Sequence, residues 1–220
     1  MVFRNISNPK PVAEYIAQQL IAALDNGKSV LWLVPGGSSI GIAVEVSKLL
    51  AGHNLSKLSV SLTDERYGIV GHPDSNWKQL ADQGFSLPGA QLFPVITGKD
   101  RETTTTEYAA TLVRLVENNE VRLGFFGIGP DGHTAGILPN TNAVTESSFA
   151  ASYDAGNFER VTMTPAAISK LTEAVVYAVG EPKWPVLDRL EADVELTEQP
   201  SQALKTVPTL TIFNDYRESK

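Results

Sequence analysis

Residues 30–50 read VLWLVPGGSSIGIAVEVSKLL, and this stretch decides the fold. Val30 to Val34 is a continuous apolar run with no polar alternation, the pattern of a strand covered on both faces. Pro35-Gly36-Gly37-Ser38-Ser39 then makes a sharp loop. After it, Ile42, Ala43, Val46, Leu49 and Leu50 recur at helical spacing and are expected to point inward. Strand, glycine-rich turn and helix together form one half of a parallel βαβ unit.

The same rhythm extends in both directions. Upstream, Pro11 opens a helix whose Val12, Ala13, Ile16, Leu20, Ala23 and Leu24 share a face, and Asn26-Gly27 stops it. Downstream, strands are predicted at Leu58–Leu62, Leu92–Ile96, Leu123–Ile128, Val175–Val179 and Thr209–Phe213, with a helix over 106–116. Thr63 to Asn76 reads as a long polar loop with a helix starting near Asp74 or Ser75. Alternating strands and helices predict an α/β fold, an open, mostly parallel Rossmann-like sheet with helices on both faces. No linker or repeat interrupts it, so residues 1–220 are expected to form a single domain.

Composition narrows the function. Hydrophobic residues make up 42% and charged residues 20%, an ordinary globular balance that excludes a disordered chain. Lys+Arg is 18 and Asp+Glu is 25, giving a net charge of −7 without a basic cluster, so no nucleic-acid partner is expected. With no cysteine, disulfides, thiolate metal sites and a cysteine nucleophile are excluded. His53, His72 and His133 are far apart and form no ligand-spaced pair, so no metal and no cofactor are expected. MVFRNISNPK has no apolar core and reads as a mature start, and no run approaches a membrane span. The expectation is a cytoplasmic protein without membrane partner, a monomer or weak homodimer.

In open α/β sheets ligands bind in loops at the carboxyl ends of strands. Four polar or glycine-rich loops follow predicted strands, at 35–39, 63–76, 129–134 and 180–183, and they are expected to share one rim. Gly36, Gly37 and Ser38 precede a helix, where bare N–H groups and the helix dipole favour an anion such as phosphate; a tight turn with a serine cap is the plainer reading. In Thr63-Asp64-Glu65-Arg66, Arg66 suits bidentate phosphate binding, while His72 and Asp74 are expected to shape the loop, Asp74 as a helix cap.

The third loop, Gly127-Ile-Gly-Pro-Asp-Gly-His-Thr134, matches GxGxxG after a strand. Pro139 follows too soon for the long helix that a dinucleotide site opens, so that reading is rejected. A glycine-rich turn presenting Asp131 and His133 remains. Histidine is the usual general base near neutral pH. Asp131 either orients the imidazole or shapes the loop. In the fourth loop, Gly180-Glu-Pro-Lys183, Lys183 is a second phosphate candidate or a solvated residue at a helix start.

Taken in order, Gly36-Gly37-Ser38, DERY with HPDSNW (64–77), GIGPDGHTAGILP (127–139), RVTMTPAAI (160–168) and GEPK (180–183) resemble the 6-phosphogluconolactonase family, a relative of glucosamine-6-phosphate deaminase. The resemblance implies a sugar-phosphate lactone as substrate, hydrolysed with His133 and Asp131 as catalytic residues. It implies that Gly36, Gly37, Ser38, Asp64, Arg66, Arg160 and Lys183 bind the substrate and its phosphate. The deaminase pattern has Asp-Glu-Tyr where this chain has Asp64-Glu65-Arg66. It also has an acid after the histidine where this chain reads Gly136-Ile137-Leu138-Pro139. An amino-sugar-phosphate isomerase or deaminase, and a non-catalytic sugar-phosphate sensor, are the alternatives. Residues 155–159, AGNFE, stand where the lactonases often carry Lys-Pro-Pro.

Overall fold

The computed structural model describes residues 1–219. In chain order the elements are β1 (Val2–Asn5), α1 (Lys10–Asp25), β2 (Val30–Val34), α2 (Ile40–Leu49), β3 (Leu58–Leu62), β4 (Asp64–Arg66), α3 (Asn76–Asp82), β5 (Gln91–Leu92), α4 (Arg101–Asn118), β6 (Val121–Gly127), β7 (Ala150–Asp154), β8 (Glu159–Met163), α5 (Pro165–Ile168), β9 (Glu173–Ala178), α6 (Trp184–Glu191) and β10 (Thr209–Asn214). Single 3₁₀ turns lead into α2 at Gly37–Ser39 and into α6 at Glu181–Lys183, and a longer 3₁₀ segment spans Pro200–Thr206.

Seven strands form the main sheet in the order β1-β10-β9-β6-β2-β3-β5, with every pairing parallel. Every residue of β2 and β3 is buried, although alternate side chains point to opposite faces, so both faces of the sheet are covered. Trp32, Phe125, Phe126 and Phe213 are the largest fully buried side chains of the core. From β2 the chain moves to β3 on one side, then returns through β6 on the other. The order therefore reverses between β2 and β6, and a crevice opens beyond their carboxyl ends. A second sheet of three antiparallel strands, β4-β8-β7, stands beside that crevice. Among the described residues no helix is long and apolar enough to cross a membrane.

Several boundaries differ from the sequence reading. β4 lies inside the stretch read as loop, because its polar residues pair in the small sheet and not in the apolar one. β7 and β8 were hidden for the same reason. β5 ends at Leu92, before most of the predicted strand, because Pro94 cannot donate to a ladder. α4 begins at Arg101: the Asp100 carboxylate accepts from Thr103 N at 2.9 Å, and Thr105 and Thr106 bond back to the carbonyls of Arg101 and Glu102. Leu49, expected inward, is exposed in the last turn of α2. Ser75, not Asp74, caps α3, its Oγ accepting from Lys78 N at 3.1 Å.

Candidate active site

All four loops meet at the β2/β6 crevice. They line a cavity of about 270 Å³ that includes Gly36, Gly37, Ser38, Asp64, Arg66, His133, Arg160 and Lys183. Asp131 sits directly behind His133. Every site residue expected from the sequence is therefore brought into this one place.

The turn after β6 is built around its histidine. Asp131 Oδ1 lies 2.6 Å from His133 Nδ1 and also accepts the His133 backbone N–H at 3.1 Å. One carboxylate oxygen thus orients the ring and closes the turn, so both roles open to Asp131 are filled. A carboxylate oxygen only accepts, so Nδ1 is the donor of this pair, and in the neutral ring Nε2 is the acceptor. The His133 side chain is 34% exposed, within reach of a ligand. Gly129 makes room for it: a Cβ there would lie 2.2 Å from ring atoms Cε1 and Nδ1. Ala135, which lines the cavity beside His133, has φ +49°, a left-handed conformation uncommon for a residue with a side chain.

Three cations line the same cavity. Arg66 and Arg160 are cross-strand partners in the β4–β8 ladder. Arg66 Nη1 donates to Asp74 O at 2.8 Å, and its guanidinium lies 5.3 Å from the centre of the Phe158 ring. Arg160 Nη1 reaches Asp64 Oδ2 at 3.4 Å. The Nε atoms of both arginines are buried with no acceptor among the described residues. Lys183 comes from the 3₁₀ turn after β9, and burial pushes its pKa down while Asp215 pulls it up. Asp215 holds that turn. Its carboxylate accepts from Gly180 N at 3.1 Å and from Trp184 Nε1 at 3.0 Å, bonds that lower its own pKa, led by the tryptophan. In the same lining, the first N–H groups of the Gly37–Ser39 turn have no intrahelical acceptor.

Glu65 is the anchor of the second loop. Its carboxylate is 1% exposed and accepts from the backbone N–H groups of Arg66, Asn76 and Trp77 and from Ser75 Oγ, at 2.6–3.1 Å. Burial pushes its pKa up, against the pull of those donors. Asn76 donates to Asp64 O at 2.9 Å, and its carboxamide covers Gly36 so closely that a Cβ there would lie 1.9 Å from Oδ1. His72 contacts Arg66 O at 2.9 Å, a loop-shaping role as expected. Asn76, Ala135, Phe158 and Asp215 are the site residues that sequence reasoning missed. Among the described residues, no group of three or more His, Cys, Asp or Glu gathers as a metal site would require.

One cavity therefore holds three cations together with a carboxylate-paired histidine. Comparison with known proteins bears on which molecule it takes. The family model described as glucosamine-6-phosphate isomerases/6-phosphogluconolactonase matches residues 9–212. A 6-phosphogluconolactonase of Chlamydia pneumoniae is 28% identical over 174 residues, 75% of this chain and 62% of that protein. The chain thus spans less than two thirds of that relative, and about half of others it matches. The crystal structure of a 6-phosphogluconolactonase from Shewanella baltica OS155 superposes with a TM-score of 0.83 at 21% identity, covering 97% of each chain. A monomeric glucosamine-6-phosphate deaminase superposes with a TM-score of 0.79 at 17% identity, covering 97% of each chain. At those identities the two structures share the fold.

Proposed function

The chain belongs to the glucosamine-6-phosphate isomerase/6-phosphogluconolactonase family, and on that premise we propose that it hydrolyses 6-phosphoglucono-δ-lactone to 6-phosphogluconate, a step of the oxidative pentose phosphate pathway. The observation that carries the reading is the Asp131–His133 pair, whose histidine lines one cavity with Arg66, Arg160 and Lys183.

Hydrolysis begins with a water between His133 and the lactone carbonyl. Nε2 takes a proton from the water as its oxygen bonds to the carbonyl carbon, and Asp131 stabilises the imidazolium that forms. Charge then builds on the former carbonyl oxygen, where backbone N–H groups of the glycine-rich turns are the donor candidates. The carbonyl re-forms, the bond to the ring oxygen breaks, and Nε2 returns its proton to that leaving alkoxide. Water is consumed, no electron changes hands, and His133 ends as it began. Meanwhile Arg66, Arg160, Lys183 and the Gly36-Gly37-Ser38 turn hold the phosphate, and Asp64 keeps Arg160 in place. Phosphate binding remote from the carbonyl sets the reacting carbon beside His133.

The assay is direct: lactone consumption above the spontaneous rate. No enzyme-dependent rate would overturn the reading. Deamination of glucosamine 6-phosphate is the second reading, favoured by the family and by the superposable deaminase. The neutral residues Gly136, Ile137 and Leu138 beyond His133 weigh against it, since they supply no acid for ring opening. Ammonia release from that substrate would select it.

A further inference from the structure

Three side chains of the 199–205 stretch grip α6. Gln199 Nε2 donates to Val186 O at 3.1 Å, Gln202 Nε2 to Arg189 O at 2.8 Å, and Lys205 Nζ to Ala192 O at 2.9 Å. Donors and acceptors both advance in steps of three residues. On a 3₁₀ helix residues three apart eclipse one another, so Gln202 and Lys205 lie in one row on the Pro200–Thr206 segment, and Gln199 stands at its N-cap. The helix they hold is the one that begins immediately after Lys183.

The same stretch backs the His133 turn. Ser201 N–H donates to Gly132 O at 2.9 Å, and Thr197 O accepts from Asn140 N at 2.9 Å. Gln199 packs so tightly on Gly132 that a Cβ there would lie 2.8 Å from Gln199 Cγ. Gln199 and Ser201 are fully buried. One short segment thus touches the helix behind Lys183 and the turn that carries Asp131 and His133.

Packing does not explain these residue types. A backbone carbonyl only accepts, so each glutamine must turn its nitrogen to α6 and leave its oxygen in the interior. Gln199 Oε1, Gln202 Oε1 and Ser201 Oγ are buried with no partner among the described residues. A methionine or leucine would fill the space without a stranded oxygen. What it would not supply is a directional bond between the segment and α6.

We infer that Gln199 is a positioning residue: it fixes the Asp131–His133 pair by clamping the turn at Gly132 to the helix that follows Lys183. The inference rests on His133 as the general base. Gln199→Met keeps the side-chain volume and removes the bond to Val186. Its turnover of the phosphorylated lactone is expected to fall about 10- to 100-fold, the size of a small misplacement of the base, with KM within threefold of wild type. The low-field Nδ1 proton resonance of His133 is expected to move or broaden. Ser201→Pro removes the N–H that holds Gly132 O and is expected to move the same resonance. An unmoved resonance with wild-type turnover assigns Gln199 to packing and overturns the inference. A lower melting temperature with the resonance unmoved does the same. If the wild type fails to hydrolyse the lactone, the proposed function falls, and the resonance still decides whether Gln199 positions His133.

Discussion

Arg66 and Arg160 stand directly opposite each other across the β4–β8 ladder. Like charges at such a pair are destabilising, by roughly 0.2–1 kcal/mol. Asp64 offsets one of them at 3.4 Å, and Asp74 O accepts one N–H of the other. An anion between the guanidinium groups removes the conflict, and this in a chain of net charge −7 whose overall field repels anions. Inorganic phosphate is therefore expected to raise the melting temperature, by about 2.7 kcal/mol of added stability at a hundred times its Kd. Arg66→Lys loses the forked geometry and is expected to lower kcat/KM for the phosphorylated lactone about 10- to 100-fold, while unphosphorylated gluconolactone is nearly indifferent. Equal losses on the two lactones would assign Arg66 to loop structure.

His133→Asn is expected to lower kcat by about 10²- to 10⁴-fold, the usual contribution of a general base. Its circular dichroism and melting temperature should match wild type, because the side chain is 34% exposed and its removal opens no core cavity. Near-full turnover would remove His133 from the mechanism.

Gly129→Ala tests the same pair without touching it. The added Cβ would lie 2.2 Å from the His133 ring and 2.7 Å from Asp131 Oδ1, so the pair must shift. Turnover is expected to fall about 100-fold, as for a displacement near 1 Å, with the fold retained. Wild-type kcat would mean that the histidine swings clear at no cost.

Lys183 gives the site a pH limit. Burial lowers its pKa from the usual 10.5. Between that lowered value and 10.5 the unfolded chain binds the extra proton, so this residue's contribution to stability rises with pH through that window. Phosphate binding needs the charged form and should weaken as pH rises through the same lowered value. A titration of the Lys183 Cε resonance is expected to show a pKa below 10.5 that rises when phosphate is added. No upward movement would place the phosphate elsewhere.

Glu65→Ala strands four donors in the interior at once. Denaturant unfolding should show a loss of about 2–4 kcal/mol, in the range for breaking a buried charged network. A loss below about 1 kcal/mol would mean that water replaces the carboxylate freely.

The buried strands of the main sheet were legible from two patterns, the continuous apolar run of β2 (VLWLV) and the strict alternation of β3 (LSVSL), each of which admits few other readings. β2 and β3 match the sequence reading end to end. Their loops were legible as a site because parallel strands must deliver every carboxyl end to one rim. The small sheet was not, since Asp64-Glu65-Arg66 and Glu159-Arg160 are polar runs that look like loop, and their backbones pair within the small sheet. Asp215 and Gln199 were invisible for a different reason. Each acts through backbone N–H and C=O groups far away in sequence, and no local pattern marks such a contact.

The strand Val2–Asn5 has one neighbour, Thr209–Asn214, which is also what covers the open edge of β9. Asp215, the next residue, secures the turn that bears Lys183. While the polypeptide is still on the ribosome, Arg66 and His133 are thus made long before the residues that complete their surroundings. Until residue 215 has emerged, one strand waits unpaired and one wall of the cavity lacks its brace. A product cut short before Asp215 would keep the residues of its chemistry and lose the brace on its Lys183 turn, so this site is expected to mature only after residue 215 has emerged.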